Sequence, residues 1–146
     1  KIEPNNFNIL NNLGMVSAKS GKDYIAEEYY KRALNIKPDF LDTLVNFGAL
    51  KMAQNQNEAA KKFFSAALEI DNKNITAKLS LASYYEQLGN FDQAKKLYYE
   101  ILADHPQVTE ADKRISSIHK YKLGDTHLKK MEEQLKKELG EDNKKN

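Results

Sequence analysis

The stretch ALNIKPDF, residues 33–40, recurs along the chain at a constant interval. Thirty-four residues later the sequence reads ALEIDNKN, at 67–74, and after the same interval again it reads ILADHPQV, at 101–108. The opening KIEP, residues 1–4, is similar to the end of the same phrase one period earlier. Because proline cannot continue a helix and also restricts the residue before it, these phrases mark helix ends. The sequence therefore predicts helical repeats with a 34-residue period, and KIEP predicts that a further repeat precedes Lys1.

Three copies of the repeat align without gaps, at 7–40, 41–74 and 75–108. In each copy, apolar residues recur at helical spacing on both sides of a short polar stretch, which predicts two helices joined by a turn. Several columns of similar residues align between the copies. They are Leu13, Phe47 and Leu81; Gly14, Gly48 and Ala82; Ala26, Ala60 and Ala94; and Tyr30, Phe64 and Tyr98. We expect the small residues to let paired helices cross closely and the aromatic rings to fill the space between pairs.

This pattern resembles the tetratricopeptide repeat in its period, its Leu-Gly and Ala columns and its closing proline. The resemblance covers about residues 1–108 and implies an all-α fold, an α-α superhelix in which antiparallel helix pairs stack as a solenoid. The chain departs from the pattern at three kinds of position. Ser17 and Lys51 replace a tyrosine that is present at Tyr85, Lys78 replaces an apolar residue, and Asn72 replaces the proline.

The repeat decays after Val108. We predict that residues 1–6 are the end of a preceding repeat, that 109–139 form a partial repeat and a C-terminal capping helix, and that 140–146 are disordered. The capping helix is predicted from one apolar stripe with charged residues around it. The stripe consists of Leu128, Met131, Leu135 and Leu139.

The segment 114–135, RISSIHKYKLGDTHLKKMEEQL, resembles the junction of bacterial proteins that join such repeats to a sulfotransferase domain. That resemblance implies that this chain is the N-terminal interaction domain of a longer enzyme, whose catalytic domain is not in this sequence.

Composition excludes several classes of function. The chain has 40% hydrophobic and 30% charged residues, a net charge of +2 and no cysteine. This charge balance argues against nucleic-acid binding, and no apolar run is long enough to span a membrane. Without cysteine there is no thiol catalysis, disulfide or cysteine zinc site. We expect a cytoplasmic protein, although a signal preceding Lys1 stays open.

No catalytic or metal-binding pattern occurs in the sequence. His105, His119 and His127 lack the spacing of a zinc site, and the acidic residues are dispersed over polar faces. We therefore predict no enzyme activity and no cofactor for this chain.

The family resemblance implies that the first helix of each pair lines a groove that binds a partner peptide or helix. We therefore predict a protein–protein interaction scaffold or adaptor. Its predicted groove residues are Asn8, Asn11, Asn12, Met15 and Lys19; Asp42, Val45, Asn46, Ala49 and Met52; and Thr76, Leu79, Ser80, Ser83 and Gln87.

Two known kinds of tetratricopeptide groove can be compared with these predicted residues. Chaperone-binding members hold a C-terminal carboxylate with two Asn and three basic residues, and no basic residue is present at the matching positions. Those positions are Asn11, Met15, Asn46, Thr76 and Ser80. Repeat proteins of the O-linked N-acetylglucosamine transferase type instead bind peptide backbone with stacked asparagines. Asn12 and Asn46, followed by Ser80, have the spacing for such a ladder.

Self-assembly is the competing hypothesis. Apolar residues of the first repeat face the place of a preceding repeat, without a polar cap. They are Ile2, Pro4, Phe7, Ile9 and Val16. Exposed apolar ends of solenoids tend to associate, so a homo-oligomer through the N-terminal end is an alternative to binding a different protein.

Overall fold

A computed structural model describes residues 6–118 and 125–142 of the chain. Within these residues every regular element is an α-helix, as predicted. The helices are α1 (Phe7–Lys19), α2 (Asp23–Ile36), α3 (Leu41–Ala53), α4 (Asn57–Ile70), α5 (Ile75–Gln87), α6 (Phe91–Asp104), α7 (Thr109–Ile118) and α8 (Thr126–Asp142).

The chain divides into two compact units, Lys1–Ile115 and Ser116–Asn146. In the first unit, α1 packs on α2, α3 on α4 and α5 on α6 as hairpins. The second helices α2 and α4 contact the first helix of the next pair, α3 and α5 respectively, and α3 also lies beside both α1 and α5. The first unit is therefore a solenoid of helix pairs in which the first helices share one face.

The three hairpin turns have the same backbone geometry. Gly21, Asn55 and Gly89 occupy equivalent places and have φ of 71°, 57° and 72°. A positive φ is strained for residues with a β-carbon, and Asn tolerates it better than most. The turn can therefore be predicted from these residues alone.

The glycine column contacts aromatic rings within the same repeat. An ideal β-carbon on Gly14 would lie 2.5 Å from Cε1 of Tyr30, and one on Gly48 would lie 2.5 Å from Cε1 of Phe64. The sequence predicts that the small residues let paired helices cross closely, and the atoms nearest to these glycines belong to the rings. The glycines are thus required because buried rings occupy the space that a side chain would fill.

Ring contacts also join successive repeats. Tyr30 of the first pair lies 5.5 Å from Phe47 of the second, measured between ring centroids, and within the second pair Phe47 stacks on Phe63 at 4.4 Å. Tyr30 and Phe47 are buried. Tyr30 of the aromatic column therefore packs between the first and second pairs, as the sequence predicts.

The two lysines that depart from the repeat pattern are buried beside carboxylates of neighbouring helices. Nζ of Lys51 lies 2.7 Å from Glu27 of α2, and Nζ of Lys78 lies 3.2 Å from Glu100 of α6. The hydrogen bond from Lys51 lowers the pKa of Glu27, and burial opposes this effect only in part. Each departure therefore replaces an apolar or aromatic contact with an ion pair.

In the second unit, α8 is amphipathic at its start and exposed further on. Its first turn is stabilised by Oδ1 of Asp125, which accepts a hydrogen bond from the backbone N–H of His127 at 2.9 Å. Met131 of the predicted stripe is half-buried, whereas Leu135 and Leu139 are exposed.

The C-terminal end of α8 lies beyond the predicted boundary. The helix includes residues 140–142, which the sequence had assigned to a disordered tail. One glycine at 140 costs a helix only about 1 kcal/mol and does not by itself end it.

Candidate peptide-binding groove

The face formed by the first helices carries two depressions, which we call the first and second depression and together the groove. The first has a volume of about 300 Å³. It brings together seven of the predicted groove residues and adds two that were not predicted. The predicted ones are Asn11, Asn12, Met15, Asp42, Val45, Asn46 and Thr76, and the additional ones are Leu41 and Asn74.

The second depression has a volume of about 170 Å³. Five predicted residues line it, namely Ala49, Met52, Leu79, Ser80 and Ser83. Four further lining residues were missed, namely Phe64, Tyr98, Glu110 and Arg114. Phe64 and Tyr98 belong to the aromatic column, so the 34-residue alignment could have located them. Glu110 and Arg114 lie on α7, where the repeat pattern had already weakened.

Three predicted residues line neither depression. Asn8 and Lys19 are exposed near the two ends of α1, and Gln87 is exposed at the last position of α5. Near a helix end the neighbouring helix gives less lateral cover, so these side chains project into solvent beside the depressions.

Asn11 has a different environment from the one predicted. Only 6% of its surface is exposed, and its Oδ1 accepts hydrogen bonds from Oγ1 of Thr43 at 3.0 Å and from Nδ2 of Asn46 at 3.1 Å. Thr43 is completely buried. The Asn11 carbonyl therefore connects α1 to α3, and a buried hydroxyl depends on it for its hydrogen bond.

The predicted asparagine ladder is divided by these contacts. Asn12 and Asn46 both line the first depression, but Asn46 donates to Asn11 and not to Asn12. Ser80 lines the second depression. Asn12 is exposed and forms no side-chain hydrogen bond with any residue in 6–118.

Charged residues at the second depression form one connected cluster. Nη1 of Arg114 lies 3.3 Å from Oε2 of Glu86, and Nε of Arg114 donates to Oε1 of Glu110 at 2.9 Å. The Tyr98 hydroxyl donates to the other oxygen of Glu86 at 2.9 Å. Burial, helped by the Glu86 carboxylate, raises the pKa of Tyr98, so the phenol stays protonated as a donor.

Residues 6–118 and 125–142 contain no cluster of three acidic or histidine side chains suited to a metal ion. Of the three histidines, His105 precedes Pro106 at the end of α6 and His127 is buried at the start of α8. His119, which was also predicted not to bind a metal ion, lies outside the described residues. Among the same residues, every helix is too short or too polar to cross a lipid bilayer.

The chain matches two sequence models of the tetratricopeptide repeat, one at residues 7–40 and one at 51–114. It is 30% identical over 89 residues to mouse protein O-mannosyl-transferase TMTC3, a match that covers 60% of this chain and 10% of that relative. The chain thus spans about a tenth of the length of this curated relative. The relative does not bear on the resemblance of 114–135 to a sulfotransferase junction, which stays a prediction.

Two solved structures share the fold at low sequence identity. The Arabidopsis OM64 TPR domain superposes with a TM-score of 0.69 at 20% identity, covering 76% of this chain and 92% of that one. The first TPR of Spaghetti (RPAP3), bound to the HSP90 peptide SRMEEVD, superposes with a TM-score of 0.71 at 20% identity, covering 77% and 91%. Together with the matched sequence models and the stacked helix pairs, these structures show that the chain carries tetratricopeptide repeats.

Proposed function

We propose that the repeats form a protein-interaction module that binds an extended peptide, or a helix of a partner, in the groove. The observation that carries the proposal is the convergence of the predicted residues. Seven of them line the first depression and five line the second, on one face of the first unit. The first TPR of RPAP3, which shares the fold, is bound to a peptide of HSP90.

The first depression supplies hydrogen-bonding groups for a peptide backbone. Because Nδ2 of Asn46 donates to Asn11, its Oδ1 is the atom that can accept from a peptide N–H. The exposed amide of Asn12 offers both a donor and an acceptor. A backbone bound in this way is recognised irrespective of most of its side chains.

A carboxylate clamp of the chaperone-binding kind is not part of this proposal. All five equivalent positions line the groove, and Met15, Asn46, Thr76 and Ser80 do so with uncharged side chains. The fifth, Asn11, is also uncharged, and its carbonyl is bonded to α3. A terminal carboxylate would therefore find no cation at these positions.

The test begins with peptides selected on the protein from a random display library. We expect Asn12→Ala combined with Asn46→Ala to weaken the selected peptides, because each lost hydrogen bond contributes about 0.5–1.5 kcal/mol. Lys62→Ala, on the exposed surface of α4, is the control and should leave the affinity unchanged. Equal affinity of the double variant and the wild type, measured by fluorescence anisotropy, would contradict the proposal.

Self-association through α1 is a second candidate function, and one observation favours it. Ile9, Leu13 and Val16 are 37%, 41% and 58% exposed. The residues at the same positions of α3, which are Thr43, Phe47 and Leu50, are 0%, 4% and 5% exposed because the preceding helix pair covers them. The apolar face of α1 therefore has the surface that α3 uses for packing.

Phe7 does not belong to this face, although the sequence placed it there. Its ring packs edge-on against Phe40, the residue directly before α3, with centroids 4.9 Å apart. Ile2 and Pro4, the other predicted members, lie outside the described residues. The candidate face on α1 thus consists of Ile9, Leu13 and Val16.

Mass in solution separates the two candidate functions. If the α1 face self-associates, the mean mass from sedimentation equilibrium rises with concentration, and Leu13→Glu abolishes the rise. Gln93→Glu, at an exposed position of α6, adds the same charge elsewhere and should leave it intact. A constant monomer mass for the wild type would rule out this second function.

A further inference from the structure

The groove has a negative charge, although the chain as a whole has a net charge of +2. Asp42 is the one charged residue that lines the first depression, and it forms no ion pair with any residue in 6–118. Lys37, the nearest lysine along the chain, lies over the rings of Phe7 and Phe40 instead. A cationic ligand group beside Asp42 would therefore meet a carboxylate that no ion pair within 6–118 neutralises.

The second depression repels further negative charge as well. Its single cation, Arg114, is held between the carboxylates of Glu86 and Glu110, so the cluster carries one excess negative charge. An acidic ligand would have to displace one of these pairs before it could use the guanidinium. The charge of both depressions thus favours a neutral or basic ligand.

The floor of the second depression is apolar and has the size of one side chain. Met52, Leu79 and the ring of Phe64 contribute to it, and its volume is about 170 Å³. An engineered apolar cavity of about 150 Å³ holds a benzene molecule. A single Leu, Met or Phe side chain would therefore fill this depression.

The distance between Asp42 and the second depression determines how far apart the two matching residues of the ligand must be. Ala49 and Met52 follow Asp42 by two to three turns of α3, roughly 10–15 Å at about 1.5 Å per residue. An extended chain advances about 3.3 Å per residue. Two ligand residues that occupy both places are therefore separated by about three to five positions.

We infer that the ligand is an extended segment with one large apolar residue and a Lys or Arg about three to five positions away. Its apolar side chain occupies the second depression, and its cationic group lies beside Asp42. This inference rests on the proposed function and specifies its ligand. It separates this groove from one that binds acidic C-terminal peptides.

The experiment is a selection from a random ten-residue peptide library, followed by anisotropy measurements on the enriched peptides. We expect the enriched sequences to share an apolar residue and a basic residue at the stated spacing. The acidic peptide SRMEEVD serves as a defined probe and should bind at least tenfold more weakly. Enrichment of acidic sequences, or tight binding of SRMEEVD, would overturn the inference and leave the proposed function standing.

Two matched pairs of variants test the two contacts separately. Asp42→Asn should weaken an enriched basic peptide about two- to fivefold, the range that an exposed ion pair supplies, whereas Glu58→Gln on α4 should not. Ala49→Trp fills the second depression and should weaken binding at least tenfold, whereas Ala53→Trp, outside the depression, should not.

The remaining outcomes distinguish failure of the inference from failure of the proposed function. Unchanged affinity in both Asp42→Asn and Ala49→Trp, with binding still lost in the Asn12→Ala and Asn46→Ala variant, would overturn the inference alone. The absence of any enriched peptide, or binding that none of the groove variants affects, would overturn both. Circular dichroism of each variant shows whether its helices are intact.

Discussion

Substitution of Gly48 by alanine tests the account of the packing within a repeat most directly. The new β-carbon would lie 2.5 Å from Cε1 and 2.8 Å from Cδ1 of Phe64. Carbon atoms rest about 3.5–4.0 Å apart, so the ring would have to move by about 1 Å. Because Phe64 is fully buried, this movement displaces its neighbours in the core.

Two opposing terms determine the expected change in stability. Overpacking of a core costs about 1–3 kcal/mol. Replacing glycine by alanine inside a helix stabilises by about 1 kcal/mol. We therefore expect Gly48→Ala to lower the free energy of unfolding by up to about 2 kcal/mol. At the equivalent position of the third repeat the native residue is already alanine, so Ala82→Gly should also destabilise, by about 1 kcal/mol.

A double-mutant cycle with Phe64→Leu isolates the steric term. In the Phe64→Leu background the ring is gone, and Gly48→Ala should raise the free energy of unfolding by about 1 kcal/mol. The coupling measured by urea denaturation is then about 1–3 kcal/mol. Gly140→Ala is the control, since a β-carbon there meets nothing within 4 Å, and it should not destabilise. A coupling below about 0.5 kcal/mol would refute the steric explanation.

Three further predictions concern the turn and the buried lysines. Asn55→Ala should lower the free energy of unfolding by about 1 kcal/mol, because its φ is positive, whereas Asn55→Gly should not lower it; urea denaturation of both variants gives the comparison. Lys78→Leu should be neutral or stabilising, because the Glu100 carboxylate that loses its partner is 42% exposed and stays solvated while leucine restores the apolar residue of the repeat pattern; a thermal transition lowered by several degrees would contradict this. The pKa of Glu27 is lowered in the folded state, so its ion pair with Lys51 stabilises fully above its ordinary pKa of about 4.5 and is lost as the pH falls through the folded value. Lys51→Met should therefore show its largest difference from the wild type near pH 7 and a smaller one near pH 3, and an equal difference at both would contradict the assignment.

The helices and turns could be predicted because each depends on residues that recur in every copy. Gly21, Asn55 and Gly89 identify the turns by their tolerance of positive φ. The apolar columns identify the packed faces, since a period of about 3.6 residues places them on one side of each helix. Such local signals need no knowledge of the neighbouring repeat.

The division of polar residues between interior and surface could not be predicted in this way. Asn11 and Asn12 are adjacent on α1 and have the same side chain, but only Asn11 reaches Thr43 and Asn46 of α3. Their difference arises from a rotation of about 100° per residue around the helix and from the position of α3. Glu86 and Arg114 likewise meet only because α5 and α7 are neighbours, and their distance along the sequence gives no indication of it.

The polar residues of the first helices therefore fall into two groups with different expected effects on mutation. Asn11 and Lys51 are buried and bonded to residues of neighbouring helices, so their removal leaves unsatisfied partners and lowers stability. Asn12 and Asp42 are exposed in the first depression and form no side-chain bond within 6–118, so their removal costs the folded state little. A ligand that pairs with Asn12 and Asp42 would use side chains to which no other residue in 6–118 is bonded, so affinity rather than stability is the property that their substitution should chiefly change.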